Sequence, residues 1–221
     1  MKKFFLVSSL TLSSFFISAS FLDNPIIGDG VLKSEKRNVS SFNKISISGG
    51  LNISIVCQKQ QSINIEGDTN IISLIKTYVE KNVLNITTNQ RYKENQPLKI
   101  EINNPDINNI QVKGTSILSV IQIKNQAMNI VIDGNTNINA KGQSKKLFLD
   151  LSGSGYIDTK NLKTEETKVD LKGFSMVDVF ATKSLDATIS GFGKINYYGE
   201  PKNVKKNITG TGYIIEGKNK V

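Results

Sequence analysis

From residue 110 onward the chain repeats itself, at an interval too short for a self-contained globular unit. Glycines recur at Gly114, Gly134, Gly153, Gly173, Gly191 and Gly210, with spacings of 20, 19, 20, 18 and 19. A period of this size constrains the fold class before any single element is assigned. Two positions before each glycine stand Val112, Ile132, Leu151, Leu171, Ile189 and Ile208, and four positions after it Leu118, Ile138, Ile157, Val177, Ile195 and Ile214. Two positions after it the residue is always small: Ser116, Thr136, Gly155, Ser175, Gly193 and Gly212. Even offsets therefore point inward and odd offsets outward, the period-two signature of strands. The small pair marks a place where an inward-facing chain has little room, as at a bend.

A unit of about 19 residues with two or three short strands cannot bury its own apolar face, so neighbours must stack on it. The repeat predicts an all-β fold: a parallel β-helix, or β-solenoid, with coils of 18–20 residues and right-handed connections. The alternative is a two-sheet antiparallel β-sandwich, whose strands also recur every 8–12 residues. The sandwich does not require small residues in one phase. Upstream, Ile45, Ile47, Gly49, Leu51, Ile53 and Ile55 keep the same phase, and Ile63, Ile65 and Gly67 follow. Ile71, Ile72, Leu74 and Ile75 predict a short helical turn. Leu74–Val79 and Val83–Thr87 predict a hairpin turning at Lys81-Asn82, and Leu98, Ile100 and Ile102 a strand ended by Asn104-Pro105-Asp106.

The first twenty residues have the order of a secretory signal: Lys2 and Lys3, an apolar stretch from Phe4 to Ile17, then Ser18, Ala19 and Ser20. The stretch is too short and too rich in Ser for a membrane anchor, which needs about 20 apolar residues. The expected organisation is a signal peptide over 1–20, a leader over 21–36, the repeat domain over 37–216 and a polar tail over 217–221. The expected location is outside the cytoplasm: periplasm, cell surface or extracellular space. Cys57 is the single cysteine, so an intrachain disulfide is excluded, and its alternation with Leu51, Ile53 and Ile55 makes it a small core hydrophobe.

The formal charge is +9, but only Arg37 and Arg91 are arginines and the lysines are scattered. Phosphate readers cluster arginine with aromatics, so no nucleic-acid partner is expected. A preference for anionic envelope polymers is compatible with the charge.

The run from Arg37 through Phe42 and Ile45 to Ile55 resembles the opening of the head GIN domain family, whose members are described as putative auto-transporter adhesins and otherwise count as a domain of unknown function. The resemblance continues through Ile65-Glu-Gly-Asp-Thr-Asn-Ile-Ile72, Ile75-Lys-Thr-Tyr-Val79, Pro97-Leu-Lys-Ile-Glu-Ile102, Ser152-Gly-Ser-Gly155 and Ile195-Asn-Tyr-Tyr-Gly-Glu-Pro201. It spans about residues 37 to 216. It implies a right-handed β-helix and an exported bacterial protein, and adhesion by label alone, since a fold does not fix a function. The polar tail lacks the terminal aromatic of a membrane barrel, so self-export is not expected.

The chain contains no histidine, which excludes Ser-His-Asp and Cys-His nucleophilic machinery and His-based zinc sites. Carboxylates recur in phase: Asp150 and Asp170 three positions before a glycine, Asp158 and Asp178 five positions after one. Such pairs are candidates for sharing Ca²⁺ or for acid–base work, against a reading as solvated surface aspartates. Neighbouring repeats carry Val131, Thr188, Asn139 and Asn196 there, so no long acidic ladder forms. The repeat spacing also leaves no room for the long loops that make catalytic grooves on β-helical lyases. No enzyme activity, resident metal or cofactor is expected.

The more informative outward set is aromatic. Phe174 and Phe192 follow their glycines by one position; Tyr156, Met176 and Tyr213 follow theirs by three, interrupted by Lys194. Such rings stack on sugars or anchor a protein partner, unless residues 21–36 or 71–88 cover them. The expectation is a noncatalytic, adhesin-like binding protein recognising an envelope glycan or protein through Tyr156, Phe174, Met176, Phe192 and Tyr213. The alternatives are a self-associating periplasmic scaffold and, third, a carbohydrate-active enzyme.

Overall fold

The structure, a computed structural model, describes residues 24–218; the expected signal sequence and its cleavage point lie outside them. The described residues are all-β apart from one helical turn. Its first half holds β1 (Ile26–Ile27), β2 (Leu32–Lys36), β3 (Lys44–Ser48), β4 (Leu51–Cys57), β5 (Ser62–Asp68), the turn α1 (Thr69–Ile72), β6 (Lys76–Glu80), β7 (Val83–Thr87), β8 (Tyr92–Lys93) and β9 (Lys99–Asn104). The second half holds β10 (Asn109–Leu151), β11 (Ser154–Leu171), β12 (Phe174–Phe180), β13 (Ser184–Ile189), β14 (Phe192–Tyr198), β15 (Asn203–Ile208) and β16 (Thr211–Glu216).

β10 is 43 residues of extended chain, which laid straight would reach about 140 Å. Instead it bends, at Gly114 (φ 97°) and Gln122 (φ 60°) among other places, and pairs in turn with β3, β4 and β11. Every inter-strand pairing that involves residues 109–216 is parallel. One ladder runs β7–β3–β10 and on through β11, β13 and β15; the other runs β9–β4–β10 and on through β11, β12, β14 and β16. Antiparallel pairing is confined to the first half, where β2 pairs β5, β5 pairs β9 and β6 pairs β7. The expected hairpin turns at Lys81 (φ 50°) and Asn82 (φ 62°), the two successive positive φ values that match the twist of a tight β-hairpin.

The repeat phase places the core. Val112, Ile132, Leu151, Leu171 and Ile189 are buried, as are Leu118, Ile138, Ile157, Val177, Ile195 and Ile214. Ile208, in the same phase, is 44% exposed, because β15 has a partner strand on one side alone. The chain bends at Gly153, Gly173, Gly191 and Gly210, and the recurrent glycines also let one repeat approach the next. A Cβ on Gly134 would meet the carbonyl oxygen of Gly114, one on Gly153 that of Gly134, and so on through Gly173, Gly191 and Gly210. Each glycine is the seat of the next, with no space for a side chain between two backbones.

The first half closes one end of these ladders. Asp68, fully buried, accepts backbone N–H groups from Gly30 (2.8 Å), Asn95 (2.8 Å) and Gln96 (2.9 Å). It thereby ties the 28–31 segment and the 94–97 loop to the end of β5. The described part of the expected leader is thus joined to the domain, through β1–β8 and β2–β5 pairing. Cys57 is buried and its thiol is pushed up to about 11, mainly by desolvation, as suits a core residue. Among the described residues no helix is long and apolar enough to cross a membrane.

Candidate ligand-binding face

The outward side of the second ladder carries two rows of side chains. Ser154, Phe174, Phe192 and Thr211 are in register, and so are Tyr156, Met176, Lys194 and Tyr213. In-register parallel pairing sets successive members about 4.8 Å apart. The Phe174 and Phe192 rings lie 5.0 Å apart at an interplanar angle of 2° and are 62% and 52% exposed. Because Ser154 and Thr211 flank the pair in the row, no bulky row neighbour stands beside the outer ring faces. Met176 and Tyr213 are exposed too, and Tyr156 is partly so. The structure brings all five expected residues onto one face, and neither 24–36 nor 71–88 covers them.

Tyr156 is held from below. Its hydroxyl donates to Asp178 Oδ2 at 2.5 Å, and Asn196 Nδ2 donates to Asp178 Oδ1 at 2.6 Å. That hydrogen bond, followed by burial, drives the Tyr156 hydroxyl well above its ordinary pKa. A Tyr ring with its hydroxyl fixed is a stiff contact surface.

The carboxylate reading is corrected here. Asp158 and Asp178 sit at odd offsets but are buried, since alternation breaks where Ile157–Thr159 and Val177–Val179 are buried in threes. Asp178 is covered by Tyr156 and Asn196; Asp158 faces Asn139 Nδ2 at 3.4 Å and Lys160 Nζ at 3.5 Å. They are internal hydrogen-bonding groups, not solvated surface charges. Asp150 and Asp170 are the outward pair, and each has a lysine: Lys172 Nζ lies 2.7 Å from Asp150 and Lys168 Nζ 3.8 Å from Asp170. Among the described residues no three metal-type side chains converge.

A groove of about 630 Å³ opens at the other end of the same face. Gly49, Gly50, Gly114 and Thr115 form its floor, and Arg91 and Lys93, flanking Tyr92, its wall. Tyr92 donates from its hydroxyl to the Gly50 carbonyl at 2.6 Å; burial, with Glu94 adding, pushes that phenol up to about 12. β8 is anchored behind by pairing with β1. Sequence reasoning passed over this wall because β8 is two residues long, too short for residues 89–97 to show a period. The available signal was the pair of cations flanking an aromatic, Arg91-Tyr92-Lys93, followed by Glu94 in an Asn/Gln-rich stretch.

The family described as "Putative auto-transporter adhesin, head GIN domain" matches residues 41–201. The crystal structure of a putative adhesin from Bacteroides fragilis NCTC 9343 superimposes with a TM-score of 0.72 at 23% identity, over 87% of this chain and 100% of that one. Crystal structures of a putative lipid binding protein and of a putative adhesin, both from Parabacteroides distasonis ATCC 8503, match with TM-scores of 0.46 at 19% identity, over 88% of this chain and 100% of theirs. At 23% the first likeness speaks to fold, and the two looser ones carry no argument. No curated protein matches the chain.

Proposed function

The chain belongs to the head GIN domain family, and from that premise we propose that it is an exported, noncatalytic binding protein of the adhesin kind. Its parallel ladders are the coils of a right-handed β-solenoid. What supports this is the pairing of segments 18–20 residues apart, parallel and in register, through the five glycine-marked repeats from Gly134 to Gly210, with Gly134 in turn seated on Gly114. An antiparallel sandwich would reverse neighbouring strands. The solenoid presents one rigid face, and that face binds an envelope glycan or protein.

The observation that carries the reading is the stacked, exposed Phe174–Phe192 pair. Strand propensity does not demand rings at this position, since Thr115, Asn135, Ser154 and Thr211 occupy it in other repeats. Contiguous exposed apolar groups on a folded chain are usually used, and aromatic faces suit sugar rings. Adhesin names among structural relatives agree with the reading. Replacing both phenylalanines by Thr should markedly weaken binding of ligands long enough to reach the rings in a glycan and envelope-polymer screen, while leaving the melting temperature within a few degrees. If the double variant melts far lower, the rings are core and the reading fails.

The second reading is self-association through the same face. It is favoured by Tyr213, 70% exposed, and Ile215, 41% exposed, on the edge strand β16, which pairs with β14 on one side. In that case the double variant would lose concentration-dependent mass in sedimentation and no ligand binding would be found.

A further inference from the structure

We propose that the groove beside Gly49 and Gly114 is an anion subsite, and that it takes the carboxylate of an acidic polysaccharide whose chain then runs along the face to Phe174 and Phe192. The second half rests on the reading of the aromatic face given above; the groove stands on its own geometry. Its volume of about 630 Å³ lies in the usual range for small-ligand sites. Gly49, Gly50 and Gly114 leave Thr115 as the one side chain of the floor, so a sugar ring can approach the backbone at the three glycines.

The charge in the groove is uncommitted. Of the two arginines, Arg37 is engaged by Glu35 at 3.1 Å and by the Ile72 carbonyl at 3.1 Å. Arg91 and Lys93 are exposed and, among the described residues, neither forms an ion pair. The groove's own acid, Glu94, already accepts the Leu98 N–H at 2.8 Å through Oε2. A free guanidinium can clamp a carboxylate with two parallel hydrogen bonds. The wall is built before any ligand arrives, since the Tyr92–Gly50 bond and the β1–β8 pairing hold it in place. Such pre-organisation lowers the ordering cost of binding.

Position links the groove to the rings. Gly134 seats on Gly114, so Thr115 at the groove is followed in its row by Asn135, then by Ser154 and Phe174 in register. Three strand steps of about 4.8 Å put Thr115 about 14 Å from Phe174. Between them stand Asn135, Asn137 and Ser154, polar groups able to meet sugar hydroxyls. One end of the face thus offers cations, the middle hydrogen bonds and the far end rings.

The test is calorimetric titration of the full chain with a galacturonate hexasaccharide, its fully methyl-esterified form, a galacturonate disaccharide and a hyaluronate hexasaccharide. R91Q/K93Q should bind the galacturonate hexasaccharide at least tenfold more weakly than wild type, with an unchanged melting temperature. Methyl esterification should cost wild type a similar factor. F174T/F192T should weaken the hexasaccharide but leave the disaccharide, which cannot span to the rings, as in wild type. If F174T/F192T binds both lengths like wild type while R91Q/K93Q does not, the aromatic reading fails and the subsite stands. Equal binding by R91Q/K93Q and wild type, equal binding of the ester, or no binding of either acidic hexasaccharide overturns the subsite.

Discussion

Leu171 gives the sharpest check on which way the repeat faces. It is fully buried, paired in register with Leu151 on one side and Ile189 on the other. Its Cδ2 stands 2.8 Å from where a Cβ on Gly193 would lie. Leu171→Ala removes roughly three carbon equivalents, about 2.4 kcal/mol at about 0.8 kcal/mol each, plus a cavity term. Backbones on both sides are fixed by the ladder, so the site collapses poorly. The expected loss is therefore about 3–5 kcal/mol. One residue away, Asp170 is outward with Lys168 at 3.8 Å. An ion pair of that length and exposure contributes about 0–1 kcal/mol, and Asp170→Ala should lose no more. Urea denaturation at pH 7, followed by circular dichroism, reads both. The midpoints should separate widely while the slopes agree, which also checks that the repeats unfold together. Equal losses, or a loss under about 1 kcal/mol for Leu171→Ala, would refute the inward–outward phase and with it the face on which the rings are placed.

Two further outcomes follow from other parts of the chain. Burial alone would raise the Asp68 pKa, but the N–H groups of Gln96, Asn95 and Gly30 together hold it below its ordinary value; its contribution is therefore complete above the unfolded carboxylate pKa and is lost as pH falls through the folded value. Amide-exchange protection of residues 28–36 and 94–97 should drop below about pH 4 in wild type; in Asp68→Asn it should already be low at pH 7, and equal protection in the two proteins would reject the clamp. For export, the intact mass of protein recovered from the envelope fraction should correspond to a chain starting near Ser20 or Phe21, and a Met1 form there would remove the signal-peptide reading.

The parts of the fold that were legible are those fixed by local period. Alternation set the inward aliphatics, and the positions of Lys81-Asn82 and Asn104-Pro105 set a turn and a strand end, because each is decided by a few neighbouring residues. The glycine ladder was legible as a spacing but not as a cause. The bend is there, at Gly153, Gly173, Gly191 and Gly210, but the glycines also admit the next repeat's backbone, a contact between residues about 19 apart that local period does not show. Asp158 and Asp178 were misplaced for a related reason. Period-two counting assigns a face but cannot see that Tyr156 and Asn196 fold over the carboxylate. The groove was not legible beyond the local Arg91-Tyr92-Lys93 signal, since its floor is Gly49, Gly50, Gly114 and Thr115 and its wall comes from residues 91–93. It exists through the Tyr92–Gly50 bond and the β1–β8 pairing, neither of which leaves a periodic trace.

The choice between a foreign ligand and a second copy turns on the two edge strands at the far end of the ladders. β15 places Val204, Lys206 and Ile208 in register with the buried Leu185, Ala187 and Ile189, so Lys206 holds an inward-phase position. Its ammonium lies over the Tyr197 ring at 4.7 Å, and Lys205 stands beside it, near Asp186 at 3.7 Å. Lysines on an edge, and above all one in the inward phase, are a recognised guard against edge-to-edge pairing. A second copy joined through these edges in a two-fold arrangement would bring the same lysines toward each other, and like charges set opposite one another destabilise a pairing. The Phe174–Phe192 pair lies on the sheet face rather than on its edge, so this guard leaves the pair open. The end of the fold thus resists growth while its face invites stacking, and that combination fits a domain that binds something other than itself.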